Sequence, residues 1–133
     1  MGKIIGIHHL CIQTPDIEKS LAFYCEIIGF CLLDRETCNF GEYAMLRLGS
    51  SNLELIQPNK QEEVSFGNSG SLAHFGLQVE SIEEVYKELK DKGVSFIPDQ
   101  VNEFTEPLGG FSAASLLGPS GEAINLYEFK HTF

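Results

Sequence analysis

The sequence predicts an α+β fold: two βαβββ modules paired into an eight-stranded, cupped mixed sheet with helices on the outside. Three observations carry this. First, His9-Leu10-Cys11-Ile12-Gln13-Thr14-Pro15-Asp16-Ile17 and His74-Phe75-Gly76-Leu77-Gln78-Val79-Glu80-Ser81-Ile82 repeat one pattern: histidine, alternating apolar positions, glutamine four residues on, then a helix start. Second, each copy later reaches a matching strand, Leu53-Glu54-Leu55 and Ile124-Asn125-Leu126. Third, neither half can bury its sheet and helix well alone, so pairing about a pseudo-twofold axis is expected. The expected organisation is a single domain over 1–133, with module 1 at 3–57, a linker at 58–71 and module 2 at 72–129.

Taken in order, residues 4–13 alternate as a strand. Thr14-Pro15-Asp16 opens a helix with proline early in its first turn, where a missing N–H is harmless. Ile17, Leu21, Tyr24 and Ile28 form its apolar stripe, and Gly29 ends it. Residues 30–37 read as a strand, Asn39-Phe40-Gly41 as a turn, and 43–48 with 52–57 as a hairpin around Gly49-Ser50-Ser51. The polar stretch 58–71 reads as a linker. The order then repeats: a strand at 72–79, a helix at 82–92 with a Ser81/Glu84 capping box and Gly93 at its end, and a strand at 94–98. Glu106-Pro107-Leu108-Gly109-Gly110 is a loop, open to reading as a lid or as plain surface. A last hairpin turns at Gly118-Pro119-Ser120-Gly121 between strands at 111–117 and 122–129.

Composition bounds the function. Nineteen acidic against nine basic residues give a net charge of −10, which repels nucleic acid and anionic membrane. No apolar run approaches the ~18 residues that span a bilayer, and the N-terminus lacks a signal-peptide pattern, so a cytoplasmic location is expected. Cys11, Cys25, Cys31 and Cys38 match no zinc-ribbon or redox spacing and read as small buried hydrophobes. Cys11 is the exception to watch, since alternation places it on the face of His9.

Period two assigns the faces. With His9 inward, Cys11 and Gln13 follow, while Leu10 and Ile12 pack under the helix. Glu54 faces inward against Leu53 and Leu55, as do Asn125 and Tyr127 against Ile124 and Leu126. Two histidines and a carboxylate at repeat-equivalent places have the composition of a metal site. His8 is expected to face away from His9 and His131 to lie in the exposed tail. Tyr43, Phe66, Phe104, Phe111 and Tyr127 are candidate pocket aromatics.

On Ile7-His8-His9-Leu10, Ser20-Leu21-Ala22-Phe23-Tyr24, Ile28-Gly29-Phe30, Leu53-Glu54-Leu55, Ala73-His74-Phe75-Gly76-Leu77 and Gly118-Pro119-Ser120-Gly121, the chain resembles the vicinal oxygen chelate superfamily over nearly its whole length. That group includes glyoxalase I, methylmalonyl-CoA epimerase, fosfomycin-resistance, bleomycin-resistance and extradiol dioxygenase families. The resemblance implies a divalent metal (Zn, Ni, Mn, Co or Fe) on His9, Glu54 and His74, with Asn125 a weak fourth ligand where such chains typically carry glutamate. Gly118 likewise stands where they usually carry aspartate.

The function this implies is a metal-dependent, glyoxalase I-like lyase or isomerase acting on a small vicinal-oxygen substrate through an enediolate, with Glu54 as catalytic base. With one carboxylate, a divalent site keeps positive charge and favours an anionic substrate. Arg47, expected opposite Glu54, either clamps a substrate anion or neutralises Glu54 by a salt bridge. Gln13, Gln78 and Tyr127 are the other candidate substrate contacts. The alternatives are a metal-free binding protein of the bleomycin-resistance type and, ranked lowest, an iron-dependent dioxygenase. A homodimer is the expected assembly, with no nucleic-acid or membrane partner.

Overall fold

The computed structural model describes Lys3, residues 5–61 and residues 71–131. Contacts divide the chain into two compact units, Met1–Phe66 and Gly67–Phe133. Each holds a four-stranded mixed sheet with helix, consistent with the α+β class expected. Among the described residues no helix is long and apolar enough to cross a membrane.

The first unit runs β1 (Leu10–Gln13), α1 (Ile17–Leu21), a π-helical continuation (Ala22–Ile28), β2 (Cys31–Cys38), β3 (Gly41–Leu48) and β4 (Ser51–Pro58). Its sheet order is β1-β4-β3-β2, with β1 parallel to β4. Asp16 caps the helix by accepting from the Lys19 N–H at 3.1 Å, so Pro15 stands outside the helix. Ile17 and Tyr24 are buried, and the N–H groups of Gly29 and Phe30 both reach the Tyr24 carbonyl at 2.9 Å. Gly29, at φ 111, ends the segment where a side chain would be strained. Leu53, Leu55, Ala44 and Leu46 bury their side chains on the other face of the sheet from Glu54, as alternation requires.

The second unit runs β5 (Phe75–Gln78), α2 (Ile82–Asp91), β6 (Asn102–Phe104), β7 (Phe111–Leu117) and β8 (Ala123–Phe129), in the order β5-β8-β7-β6. Ile82, Leu89, Phe96, Ala114, Leu116, Ile124 and Leu126 form its core. Helix α2 is not started by the expected capping box, because the Ser81 side chain makes no capping bond. Instead the Ile82 N–H donates to the Glu128 carboxylate at 2.8 Å. In the first unit, the Ile17 N–H donates to Gln57 Oε1 at 2.8 Å. In each unit the last strand caps its own helix. At the final turn, Gly118 leaves room for Glu122, whose carboxyl carbon lies 2.3 Å from where a Cβ would sit. Glu122 accepts there from the Ser120 N–H at 2.8 Å.

Two expected strands are corrected. The first begins at Leu10, not near residue 4, and Ile4 itself lies outside the described residues. Its parallel partner β4 starts only at Ser51, two residues before the Leu10↔Leu53 pair, so residues 5–7 outrun the ladder. The segment 94–98 forms no ladder: Phe96 makes an isolated bridge to Leu116, and the edge strand is Asn102–Phe104. Pro98 has no N–H to continue pairing, and Asp99 turns back to accept from Tyr86 and Lys90 of α2.

Those two donors, Tyr86 before Lys90, hold the Asp99 carboxyl below the ordinary carboxylate range. A pKa lowered in the folded state contributes stability that is present above the unfolded value and lost as pH falls through the folded one. Wild type is therefore expected to lose its stability advantage over Asp99→Asn as pH drops below about 4. Urea midpoints for both proteins across that window check this; parallel midpoints would contradict it.

Candidate functional site

The first unit brings His9 and Glu54 together. Glu54 stands on β4 directly beside Cys11 in the β1/β4 register, between buried Leu53 and Leu55. His9 Nε2 lies 3.6 Å from Glu54 Oε1, with the two side chains 35% and 18% exposed. Both groups are thus open to a ligand from solvent. The Cys11 thiol is hydrogen-bonded to Glu54; partial burial first, then that bond and the carboxylate's charge, push its pKa up to about 12. At neutral pH the Cys11 thiol is protonated and donates to Glu54.

His9 lies outside the ladder, so something else must hold it. His8, expected to face away, is placed otherwise: its Nδ1 is 2.8 Å from His9 Nδ1, with the rings edge to face at 5.1 Å. The His8 carbonyl accepts from Asn52 Nδ2 at 3.0 Å, and Arg47 Nε donates to Asn52 Oδ1 at 2.9 Å. Arg47 accordingly anchors the segment that carries His9. It does not stand opposite Glu54 as expected. The two-residue turn Gly49-Ser50 pairs Leu48 with Ser51, which sets Arg47 against Asn52 and Met45 against Glu54. Among the described residues Arg47 and Glu54 form no ion pair, so the carboxylate is not neutralised that way.

The second unit brings together His74, Asn125 and Tyr127. Asn125 Nδ2 donates to Tyr127 Oη at 2.9 Å, and that oxygen is 3.0 Å from His74 Nε2. Gly76 pairs with Asn125 in register, and a Cβ there would lie 2.7 Å from the Tyr127 ring. Only the bare backbone lets the ring cross β5 toward His74. Phe111 meets Tyr127 edge to face at 5.5 Å and Phe129 stacks on it at 5.6 Å. Phe104 stacks on Phe111 in turn.

Gln13 and Gln78 are exposed at the ends of β1 and β5, and Gln78 lines a surface hollow with Val79, Glu80, Glu128 and Phe129. Leu108 and His131 are exposed, with the His131 ring against Gly109. Phe66 lies outside the described residues.

Residues 6–126 match the model of the family described as the Glyoxalase/Bleomycin resistance protein/Dioxygenase superfamily. The chain belongs to that superfamily. It is similar to the uncharacterized protein YwkD of Bacillus subtilis, 30% identical over 92% of this chain and 96% of that protein. It is also similar to a probable lactoylglutathione lyase of Synechocystis sp., 33% identical over 64% of this chain and 68% of the relative. Among solved structures, a glyoxalase family protein from Enterococcus faecalis matches with a TM-score of 0.76 and 25% identity, over 93% of this chain and 98% of that one.

Nitrogen and oxygen ligands held about 2.1 Å from one tetrahedral ion are about 3.4 Å apart, and His9 and Glu54 stand at 3.6 Å. The pair fits one ion. Among the described residues no group of three or more histidine, cysteine or acidic side chains is gathered closely enough to hold a metal ion. In the second unit His74 is hydrogen-bonded to Tyr127, which in turn accepts from Asn125.

Proposed function

We propose that this superfamily member is a metal-dependent lyase or isomerase acting on a small vicinal-oxygen substrate through an enediolate. The observation that carries the reading is the His9–Glu54 pair, an imidazole nitrogen and a carboxylate oxygen at 3.6 Å on the polar face of the sheet. Likeness to a probable lactoylglutathione lyase supports the reaction class.

In this proposal His9, Glu54 and His74 hold a divalent ion, with Asn125 as a weak fourth ligand or water anchor. Once bound, the ion would act as a Lewis acid toward the substrate's adjacent oxygens. Glu54 would take the proton from the carbon next to the carbonyl and return it to the neighbouring carbon. The Cys11 thiol donates to that carboxylate and helps fix its orientation. Arg47, through Asn52, holds the backbone before His9. A single base serves one face of the substrate, which favours isomerisation over a two-sided epimerase shuttle.

Protein stripped with chelator, assayed on thiol–ketoaldehyde adducts and short hydroxyketones, is expected to be inactive and to recover at least about tenfold when Zn²⁺, Ni²⁺, Co²⁺, Mn²⁺ or Fe²⁺ is returned. Turnover unaffected by stripping would contradict the proposal. A second reading, a metal-free protein that sequesters a small molecule, is favoured by one observation: Asn125 is engaged with Tyr127 and adds no charge to the site. Ligand affinity unchanged by exhaustive chelation would select it. In this proposal the protein works as a homodimer in the cytoplasm.

A further inference from the structure

We infer that a band of phenylalanines in the second unit, Phe104, Phe111 and Phe129, selects a substrate carrying a flat aromatic group on its carbonyl carbon. This deepens the function proposed above and rests on it for the hydroxy-carbonyl part of the molecule.

Strand register builds the band. Phe104 of β6 pairs with Phe111 of β7, and Phe111 pairs with Phe129 of β8. The rings therefore stand in one line across three adjacent strands. Phe104 stacks on Phe111 with centroids 4.9 Å apart, and Phe111 lies 6.0 Å from Phe129. Phe111 and Phe129 both reach the Tyr127 ring, at 5.5 and 5.6 Å, and the Tyr127 oxygen is 3.0 Å from His74 Nε2. The band is thus continuous with the polar end of the second unit's site. Its members share the face of Asn125 and Tyr127, opposite the core residues Ala114, Leu116, Ile124 and Leu126. Phe111 and Phe129 are half-buried there, and Phe104 is 42% exposed.

The internal repeat shows that the fold does not demand these rings. Glu54 and Asn125 occupy equivalent places beside β1 and β5, and Gln57 caps α1 as Glu128 caps α2. One residue further on, Pro58 is the equivalent of Phe129. Pro58 pairs with Gly41, and Gly41 pairs with Cys38. The same cross-strand line is therefore Cys38, Gly41 and Pro58 in the first unit and three phenylalanines in the second. The first sheet closes without a ring at any of these places. Contiguous apolar surface left open on the polar face of a sheet marks a place where a ligand sits.

Ring chemistry names that ligand. Part-exposed aromatic rings favour another ring, stacked with an offset or set edge to face, beyond what burial of area alone supplies. The net charge of −10 disfavours an acidic substituent. A neutral aryl hydroxyketone meets both conditions, with its oxygens toward His74 and its ring along Phe111 and Phe104.

The test compares 2-hydroxyacetophenone with hydroxyacetone, which differ only in phenyl for methyl. Each is titrated into the chelator-stripped full chain and followed by ligand-detected NMR. Wild type is expected to bind the phenyl compound at least about tenfold more tightly. Phe104→Leu keeps apolar bulk without the ring; it is expected to weaken phenyl binding about 3- to 10-fold and to leave hydroxyacetone unchanged. An unchanged unfolding midpoint confirms that this edge-strand variant is folded. Equal affinity of wild type for the two ketones overturns the inference, as does failure to bind the phenyl compound at millimolar concentration. So does a phenyl preference that survives Phe104→Leu, and if that variant also turns a dimer into a monomer, the band belongs to a second copy of the chain. None of these outcomes touches the metal-dependent reaction, which is read separately. Inactivity with every metal returned, beside an intact phenyl preference, would remove the reaction and keep the band as a ligand-selecting surface.

Discussion

Glu54→Gln is expected to lower kcat/KM by about 100- to 10,000-fold, the contribution typical of a positioned acid–base group. In barrier terms this is about 3 to 5 kcal/mol. The substitution preserves size and keeps an oxygen beside His9. It removes the charge that would bind the ion and the basicity that would move the proton. Because Leu53 and Leu55 carry the packing of β4 on its opposite face, the fold should be undisturbed. An unchanged unfolding midpoint alongside lost turnover would therefore assign the loss to chemistry. Activity within threefold of wild type would remove Glu54 from the mechanism.

Gly41→Ala is expected to be the most damaging conservative change to the fold, lowering unfolding free energy by about 3 kcal/mol. The residue sits at φ 144, where an L side chain is strained, and an added Cβ would lie 2.1 Å from the Gln57 carbonyl oxygen. Because the obstacle is backbone, the strand itself must move. Gln57 also accepts from the Ile17 N–H, so a shift at the end of β4 disturbs the start of α1. Urea unfolding measures the effect; a loss below about 1 kcal/mol would show that the β3–β4 junction yields easily.

Alternation was the most legible signal. One face of β4 and β8 is buried among aliphatics, so a slip of one residue would turn Leu53 and Leu55, or Ile124 and Leu126, into solvent. For that reason the faces of Glu54, Asn125 and Tyr127 could be read in advance. What alternation could not supply was cross-strand register. A loop taken as Gly49-Ser50-Ser51 has a two-residue turn at its core, and that difference moves Arg47 from Glu54 to Asn52. Contacts made by side chains were equally hidden. The pairing of His8 with His9, and of Tyr127 with His74, depends on ring orientation and on space at Gly76, which periodicity does not encode. A glycine at the centre of a short strand pattern was the available sign of close approach. The helix caps show the same limit: Ser81 and Glu84 match a local motif, yet Glu128, far along the chain, takes the N–H.

In the proposed function, His9, Glu54 and His74 serve one metal ion. Calorimetric titration of the chelator-stripped full chain with Zn²⁺ at neutral pH, repeated with His9→Ala and His74→Ala, tests it most directly. One ion per chain is expected to bind at micromolar affinity or tighter, weakened at least about 100-fold by either substitution. Absence of Zn²⁺ binding at micromolar concentrations, or an affinity that neither substitution changes, would contradict it.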